Sequence, residues 1–126
     1  MKKNMVFLLI GLVLASIMIA ACGSTSDVDS NFPTGKFTLK DSEYEGVYFN
    51  ADGTWSGFAF GPNIAEGTYH VKGDLYTEEA NPEGCPTDGT YKYSFDGTNL
   101  KFELVGEDTC QNRRESLNGI TYVLTK

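Results

Sequence analysis

The sequence predicts an all-β fold: an antiparallel up-and-down meander of about eight or nine short strands that closes as a barrel. Short runs of alternating apolar and polar residues recur along the chain, and turns rich in Gly, Asp and Asn separate them. Of the 14 glycines, 13 follow residue 21, which disfavours long helices. Since alternation gives each strand one apolar face, the meander must close on itself to cover that face and its edges.

The first 21 residues are typical of an export signal. Lys2 and Lys3 form a short basic region, and residues 5–21 are apolar apart from Ser16. This apolar stretch is short for a membrane span and ends on small residues. We therefore expect residues 1–21 to be a signal peptide.

The motif Ile19-Ala20-Ala21-Cys22 closes this segment and resembles the lipobox of bacterial lipoproteins. The resemblance implies that Cys22 becomes the mature N-terminus, with a diacylglyceryl thioether and a further acyl chain such as palmitate. Two or more acyl chains hold a protein stably on a bilayer. Because Gly23 and not Asp follows the cysteine, the resemblance gives no signal for inner-membrane retention. It implies an exported, lipid-anchored protein of the outer membrane or cell surface.

Residues 22–34 are expected to form the lipidated cysteine and a flexible tether ahead of a barrel domain at 35–126. Gly, Ser, Thr, Asp and Asn dominate the segment, which carries little apolar material. Such a composition buries too little apolar surface to offset the entropy lost on ordering.

The first predicted strands surround one clear hairpin. Residues 37–39 form the leading strand, and residues 45–49 and 54–60 flank Asn50-Ala51-Asp52-Gly53. A four-residue loop that ends in Gly is a common hairpin connection, because Gly adopts a positive φ without strain.

Three further hairpins complete the predicted meander, and Asn118-Gly119 is the strongest of their turn signals, typical of a two-residue type I′ turn. The strand pairs, each with its turn, are 66–71 and 75–79 around 72–74, 90–95 and 100–105 around 96–99, and 113–117 and 120–124 around 118–119.

Alternation in the last strands predicts which side chains face the barrel interior. Polar residues such as Lys92, Lys101 and Thr121 have the opposite parity and are expected to face solvent. The predicted inward set is Tyr91, Tyr93, Phe95, Leu100, Phe102, Leu104, Ile120, Tyr122 and Leu124.

Cys85 and Cys110 are the two thiols other than Cys22, and we expect a structural disulfide between them. An even number of cysteines in an exported chain favours a bridge. Their spacing is not Cys-x-x-Cys and His70 is the sole histidine, which disfavours a redox couple or a metal site. Closing a loop of about 26 residues contributes about 3–4 kcal/mol in the chain-entropy description.

Three segments, 67–74, 85–97 and 108–117, resemble small bacterial lipocalin-like proteins of the calycin superfamily. Calycins carry a Gly-x-Trp motif, which Gly53-Thr54-Trp55 matches, and a late Arg that packs across it, which either Arg113 or Arg114 could supply. The resemblance implies a β-barrel that binds or carries a small hydrophobic molecule without catalysing a reaction.

Trp55, Tyr91, Tyr93 and Arg113 are the candidate ligand contacts. Aromatic side chains could line an apolar pocket, or could simply fill the core and rim of the barrel. Arg113 shares parity with Leu117, so it is expected to point inward, where its planar fork could bind a ligand carboxylate. The favoured alternative is that Arg113 closes the barrel end by stacking on Trp55 or by pairing with a protein carboxylate, Glu115 or Asp108.

The other polar candidates are predicted to be solvent-exposed residues without a catalytic or metal-binding role. His70 lies between Tyr69 and Val71 with opposite parity, so it is expected to face solvent and to pair with a nearby acid. The remaining candidates are acids without an EF-hand pattern and are interpreted as solvated strand and loop residues. They are Asp74, Glu78, Glu79, Glu83 and Asp88.

Charge and motif content narrow the function. The chain has ten Lys and Arg against 17 Asp and Glu, a formal charge of −7. This charge disfavours binding to nucleic acid and attachment to anionic lipid through a polybasic segment. No acid–base pair, metal cluster or cofactor motif is found, so we expect a monomeric, non-enzymatic protein without a cofactor. The first hypothesis is a carrier of a small hydrophobic molecule in the bacterial cell envelope. The second is a solid barrel whose loops at 50–53, 61–65 and 80–89 contact another protein, as in an adhesin or inhibitor.

Overall fold

The computed structural model describes residues 28–126, and the predicted signal peptide and Cys22 lie outside this range. Eight antiparallel strands and one helix make up the described part of the chain, and consecutive strands pair around a closed barrel. The predicted all-β barrel is therefore confirmed. The elements are β1 Gly35–Leu39, β2 Ser42–Phe49, β3 Thr54–Ala59, β4 Asn63–Lys72, β5 Leu75–Glu78, β6 Gly89–Phe95, β7 Asn99–Leu104, α1 Gln111–Leu117 and β8 Thr121–Leu124.

Pairing of the last strand with the first closes the barrel. In that pairing Phe37 lies opposite Leu124, and Leu39 lies opposite Tyr122. All nine side chains of the predicted inward set either belong to the buried core or pack against it. The alternation in the sequence therefore marks the inner face correctly.

One helix replaces a predicted strand. Residues 113–117 lie in α1, because Gln111–Leu117 has no β-branched residue and Gln111 Nε2 donates to Glu115 Oε1 at 2.8 Å, one turn away. Residues four apart share a face in a helix as well as in a strand, so Arg113 and Leu117 are both buried as parity predicted. The turn at Asn118-Gly119 ends this helix and is not a hairpin.

The two ends of the barrel differ. Hairpin turns at 50–53, 73–74 and 96–98 lie at the end from which the N-terminal segment enters. The opposite end carries the β1–β2 and β3–β4 turns, the long loop 79–88 and α1. We call the first the closed end and the second the open end.

Phe32 plugs the closed end. Its side chain is 4% exposed, and its ring centre lies 5.0–5.6 Å from the ring centres of Phe49, Tyr69, Tyr76 and Tyr93. The preceding chain is also packed, since Val28 pairs with Val71 of β4. The expectation of a flexible tether at 22–34 is thus wrong for residues 28–34. One aromatic side chain is enough to anchor this short polar segment.

Phe32→Ala is expected to lower the free energy of unfolding by about 3–5 kcal/mol, the usual cost of removing a buried aromatic ring. Urea unfolding followed by far-ultraviolet circular dichroism measures this. Asn31→Ala changes the exposed neighbour and should leave the midpoint unchanged. An equal, small effect of both substitutions would show that the segment does not belong to the core.

Candidate ligand-binding site

A half-open cavity of about 760 Å³ occupies the open end of the barrel. Phe49, Tyr76 and Tyr122 line its inner part, while loop 79–88 and α1 lie along its mouth. Phe32 is not among the lining residues, so the cavity and the aromatic plug occupy opposite halves of the interior. An interior of this size is typical of pockets for small molecules.

Small residues on two neighbouring strands create the space. Gly57 and Ala59 of β3, and Ala65 and Gly67 of β4, line the cavity. A Cβ atom built on Gly57 would have no neighbour closer than 3.8 Å, so a side chain could start there without a clash. The same barrel that is solid where its inward residues are aromatic is therefore hollow where they are small.

A buried ion pair forms one wall. Arg113 of α1 donates from Nε to Asp108 Oδ2 at 2.7 Å and from Nη2 to Oδ1 at 2.6 Å. The Tyr91 hydroxyl also donates to Asp108. Burial opposes ionisation of this carboxyl, but the hydrogen bonds from Arg113 and Tyr91 outweigh it and lower the pKa of Asp108 to about 2. Both groups are therefore charged across the physiological range.

The third nitrogen of that guanidinium has no hydrogen-bond partner in the described part of the chain. Arg113 Nη1 is buried and forms no hydrogen bond within residues 28–126. The side chain lies directly over Gly89, where a Cβ would come within 2.5 Å of Arg113 Nε and of Asp108 Oδ2. Glycine at this position of β6 is what allows the ion pair to lie flat against the sheet.

Trp55, on another wall of the cavity, also packs directly over a glycine. Its indole lies over Gly67 of β4, where a Cβ would be 2.8 Å from Trp55 Nε1. That nitrogen is likewise buried without a hydrogen-bond partner in the described part of the chain. The barrel wall around the cavity thus contains, within the described residues, two buried nitrogens that lack a hydrogen-bond partner.

Glu78 is a carboxyl group that the sequence analysis placed in solvent. It has the inward parity of Tyr76 on β5, lines the cavity and accepts a hydrogen bond of 3.1 Å from the Tyr76 hydroxyl. Desolvation raises the pKa of Glu78 to about 7, against the opposing effects of Tyr76 and Arg113. The interpretation of Glu78 as a solvated strand acid is wrong, and its parity with Tyr76 was the signal that could have revealed it.

The disulfide frames the mouth of the cavity. Cys85 of loop 79–88 is bonded to Cys110, the residue before α1, and both cysteines line the cavity. The predicted pairing is confirmed. The bridge holds the loop and the helix together at the open end.

The four candidate ligand contacts separate into two groups. Trp55 and Arg113 line the cavity. Tyr91 is buried against Asp108, and Tyr93 packs against Phe32 at the closed end, so these two lie away from it. Arg113 pairs with Asp108, which was the alternative that the sequence analysis favoured. Arg114 donates from Nη1 to the backbone carbonyl of Asp108 at 2.6 Å.

The expectation for His70 is confirmed. His70 pairs with Glu79 across 3.1 Å on the outer face, as its parity predicted. Within residues 28–126 no group of three or more His, Cys, Asp or Glu side chains is placed to hold a metal ion. In the same residues no helix is long and apolar enough to cross a membrane.

Comparison with known proteins adds no relative: no family model, curated protein or solved structure matches the chain. The calycin and lipobox resemblances therefore stay predictions carried by the motifs themselves.

Glu78→Gln is expected to remove a pH dependence of stability. The pKa of Glu78 is higher in the folded than in the unfolded chain, so its contribution is complete below about pH 4.5 and is lost as the pH rises through about 7. Between about pH 5 and pH 8 the free energy of unfolding of the parent protein should fall about 2 kcal/mol more than that of the variant.

Urea unfolding at both pH values measures this difference. Glu103→Gln, an exposed carboxyl on β7, is the matched control and should follow the parent. If Glu78→Gln also follows the parent, Glu78 titrates as an ordinary exposed acid.

Proposed function

We propose that this protein is a membrane-anchored, lipocalin-like carrier that binds a small hydrophobic molecule in the open end of its barrel. The cavity is the observation that carries the proposal. A solid barrel would exclude a carrier, whereas about 760 Å³ of space accommodates a small molecule. The aromatic floor and the glycine and alanine walls offer an apolar ligand the contact surface it needs.

The packing of Val28 supports a defined orientation for an anchor at Cys22. Val28 pairs with Val71 at the closed end, and six residues of chain reach at most about 20 Å. A lipid on Cys22 would therefore keep the closed end next to the bilayer and direct the cavity mouth away from it. Exchange of ligand would then take place on the aqueous side.

A second candidate function, protein binding, is favoured by exposed apolar residues near the mouth. Tyr44 and Phe60 are 64% and 76% exposed, and their rings stack with centres 6.0 Å apart. Ile64, within the loop range 61–65 of the interaction hypothesis, is 68% exposed. Such residues are common where a protein contacts a partner.

Gly57→Leu separates the two functions, because it places a bulky side chain in the cavity without changing the loops. Binding of the neutral apolar dye N-phenylnaphthylamine, followed by its fluorescence, should be lost in this variant. Ser56→Leu places the same side chain on the outer face of β3 and should bind the dye like the parent. Absence of saturable dye binding to the parent, or equal binding by Gly57→Leu, would exclude the carrier function.

A further inference from the structure

We propose that the cavity binds an apolar molecule that carries a protonated amine, with the ammonium group paired to the carboxylate of Glu78. This inference rests on the proposed carrier function and names the chemistry of its ligand. The inward position of Glu78, an accessible oxygen on its carboxyl group and the neutralisation of Arg113 by Asp108 carry the proposal.

The strand register directs Glu78 into the barrel. Its cross-strand partners are Tyr69 on β4 and Gly89 on β6, and both are buried. Glu78 also has the parity of Tyr76, which is fully buried, and it lines the cavity. Side chains at one register position of neighbouring strands lie on the same face of a sheet, so the carboxyl group of Glu78 lies on the inner face.

One carboxyl oxygen of Glu78 is left for a ligand. Oε2 accepts a hydrogen bond of 3.1 Å from the Tyr76 hydroxyl. Within residues 28–126, Oε1 has no hydrogen-bond partner, and it is not among the fully buried side-chain atoms that lack one. Oε1 therefore keeps accessible surface, and because Glu78 lines the cavity from the inner face, that surface opens on the cavity. A carboxylate oxygen in this position can accept from a ligand N–H.

The cation that acts on Glu78 is already neutralised. Arg113 donates from two nitrogens to Asp108, and both side chains of this pair are buried. Arg113 is also the only Lys, Arg or His among the described residues that line the cavity. Because the pair is neutral as a unit, an ionised Glu78 leaves one negative charge on the inner wall. An ammonium group would neutralise that charge, whereas it would repel a ligand carboxylate.

The charge of Glu78 changes within the physiological pH range. Desolvation raises the pKa of Glu78 to about 7, against the effects of Tyr76 and Arg113. An ammonium group favours the ionised carboxyl, so its binding should tighten as the pH rises through this value. Burial raises the pKa of the surrounding tyrosines, and Asp108 and Arg113 stay ionised, so none of these groups titrates between about pH 5.5 and about pH 8. The titratable and charged groups around Glu78 are Tyr69, Tyr76, Tyr91, Tyr122, Asp108 and Arg113.

Displacement of N-phenylnaphthylamine from the full-length protein in phosphatidylcholine vesicles tests the ligand class. Octylamine, octanol and octanoate share one alkyl chain and differ in the polar end. After subtraction of the signal from Gly57→Leu vesicles, octylamine at about pH 8 should displace the dye at about tenfold lower free concentration than octanol, with octanoate the weakest. At about pH 5.5, where Glu78 is protonated, the advantage of octylamine over octanol should disappear. Equal or tighter binding of octanol or octanoate at the higher pH, or an advantage that does not change with pH, would overturn the inference.

Glu78→Gln keeps the size of the side chain and removes its charge. In this variant octylamine and octanol should displace the dye at similar free concentrations at about pH 8, and the ratio is independent of any change in dye affinity. Glu45→Gln, at an inward position of β2 nearer the mouth, is the matched control and should keep the amine preference. An undiminished preference in Glu78→Gln, or an equal loss in Glu45→Gln, would remove Glu78 from the site.

Two failures are distinguishable. If the parent does not bind the dye, the carrier function itself is overturned, whereas dye binding without an amine preference overturns only the ligand class. If Glu78→Gln does not bind the dye, the pH dependence of octylamine binding to the parent decides the role of Glu78.

Discussion

The buried ion pair between Asp108 and Arg113 is the contact on which the open end of the barrel depends. Asp108 accepts from Tyr91 of β6, from the Cys110 backbone N–H at 2.9 Å and from Arg113 of α1. One carboxylate thus fixes a strand, the start of a helix and a disulfide cysteine. Breaking such a pair leaves a buried charge and typically costs about 3–5 kcal/mol. Because Cys110 is bonded to Cys85, the position of loop 79–88 follows from the same contact.

Residue size along the inner face divides the barrel into a solid half and a hollow half. Around Phe32, aromatic rings contact one another at centre distances of about 5–6 Å and leave no need for a ligand. Beyond Tyr76 the inward positions of β3 and β4 are glycine and alanine, and polar groups replace rings on the facing wall. The closed half stabilises the fold, so the open half can keep unfilled volume and unpaired donors.

Period-two alternation was enough to predict the barrel and its inward aromatic set, because each strand has one buried face. The helix at Gln111–Leu117 was missed, because residues four apart lie on the same face in a helix and in a strand. The buried side of Phe32 was missed because a lone aromatic in a polar segment has no periodicity. At the site, Trp55 and Arg113 were found from residue type, while Asp108 entered only as a possible partner of Arg113. The inward position of Glu78 was readable from its parity with Tyr76, but its neighbours Gly89 and Tyr69 follow only from the strand register.

The unfilled half is more informative about function than the filled one. An eight-stranded barrel is narrow enough for its own side chains to fill, and at the closed end they do. A larger apolar residue at Gly57, with a phenylalanine at Trp55, would give a more conventional core without the unpaired indole donor. Within residues 28–126 the protein instead holds Trp55 Nε1 and Arg113 Nη1 buried without a hydrogen-bond partner. Both the unfilled volume and the unpaired nitrogens cost stability, and the closed half of the barrel compensates for that cost.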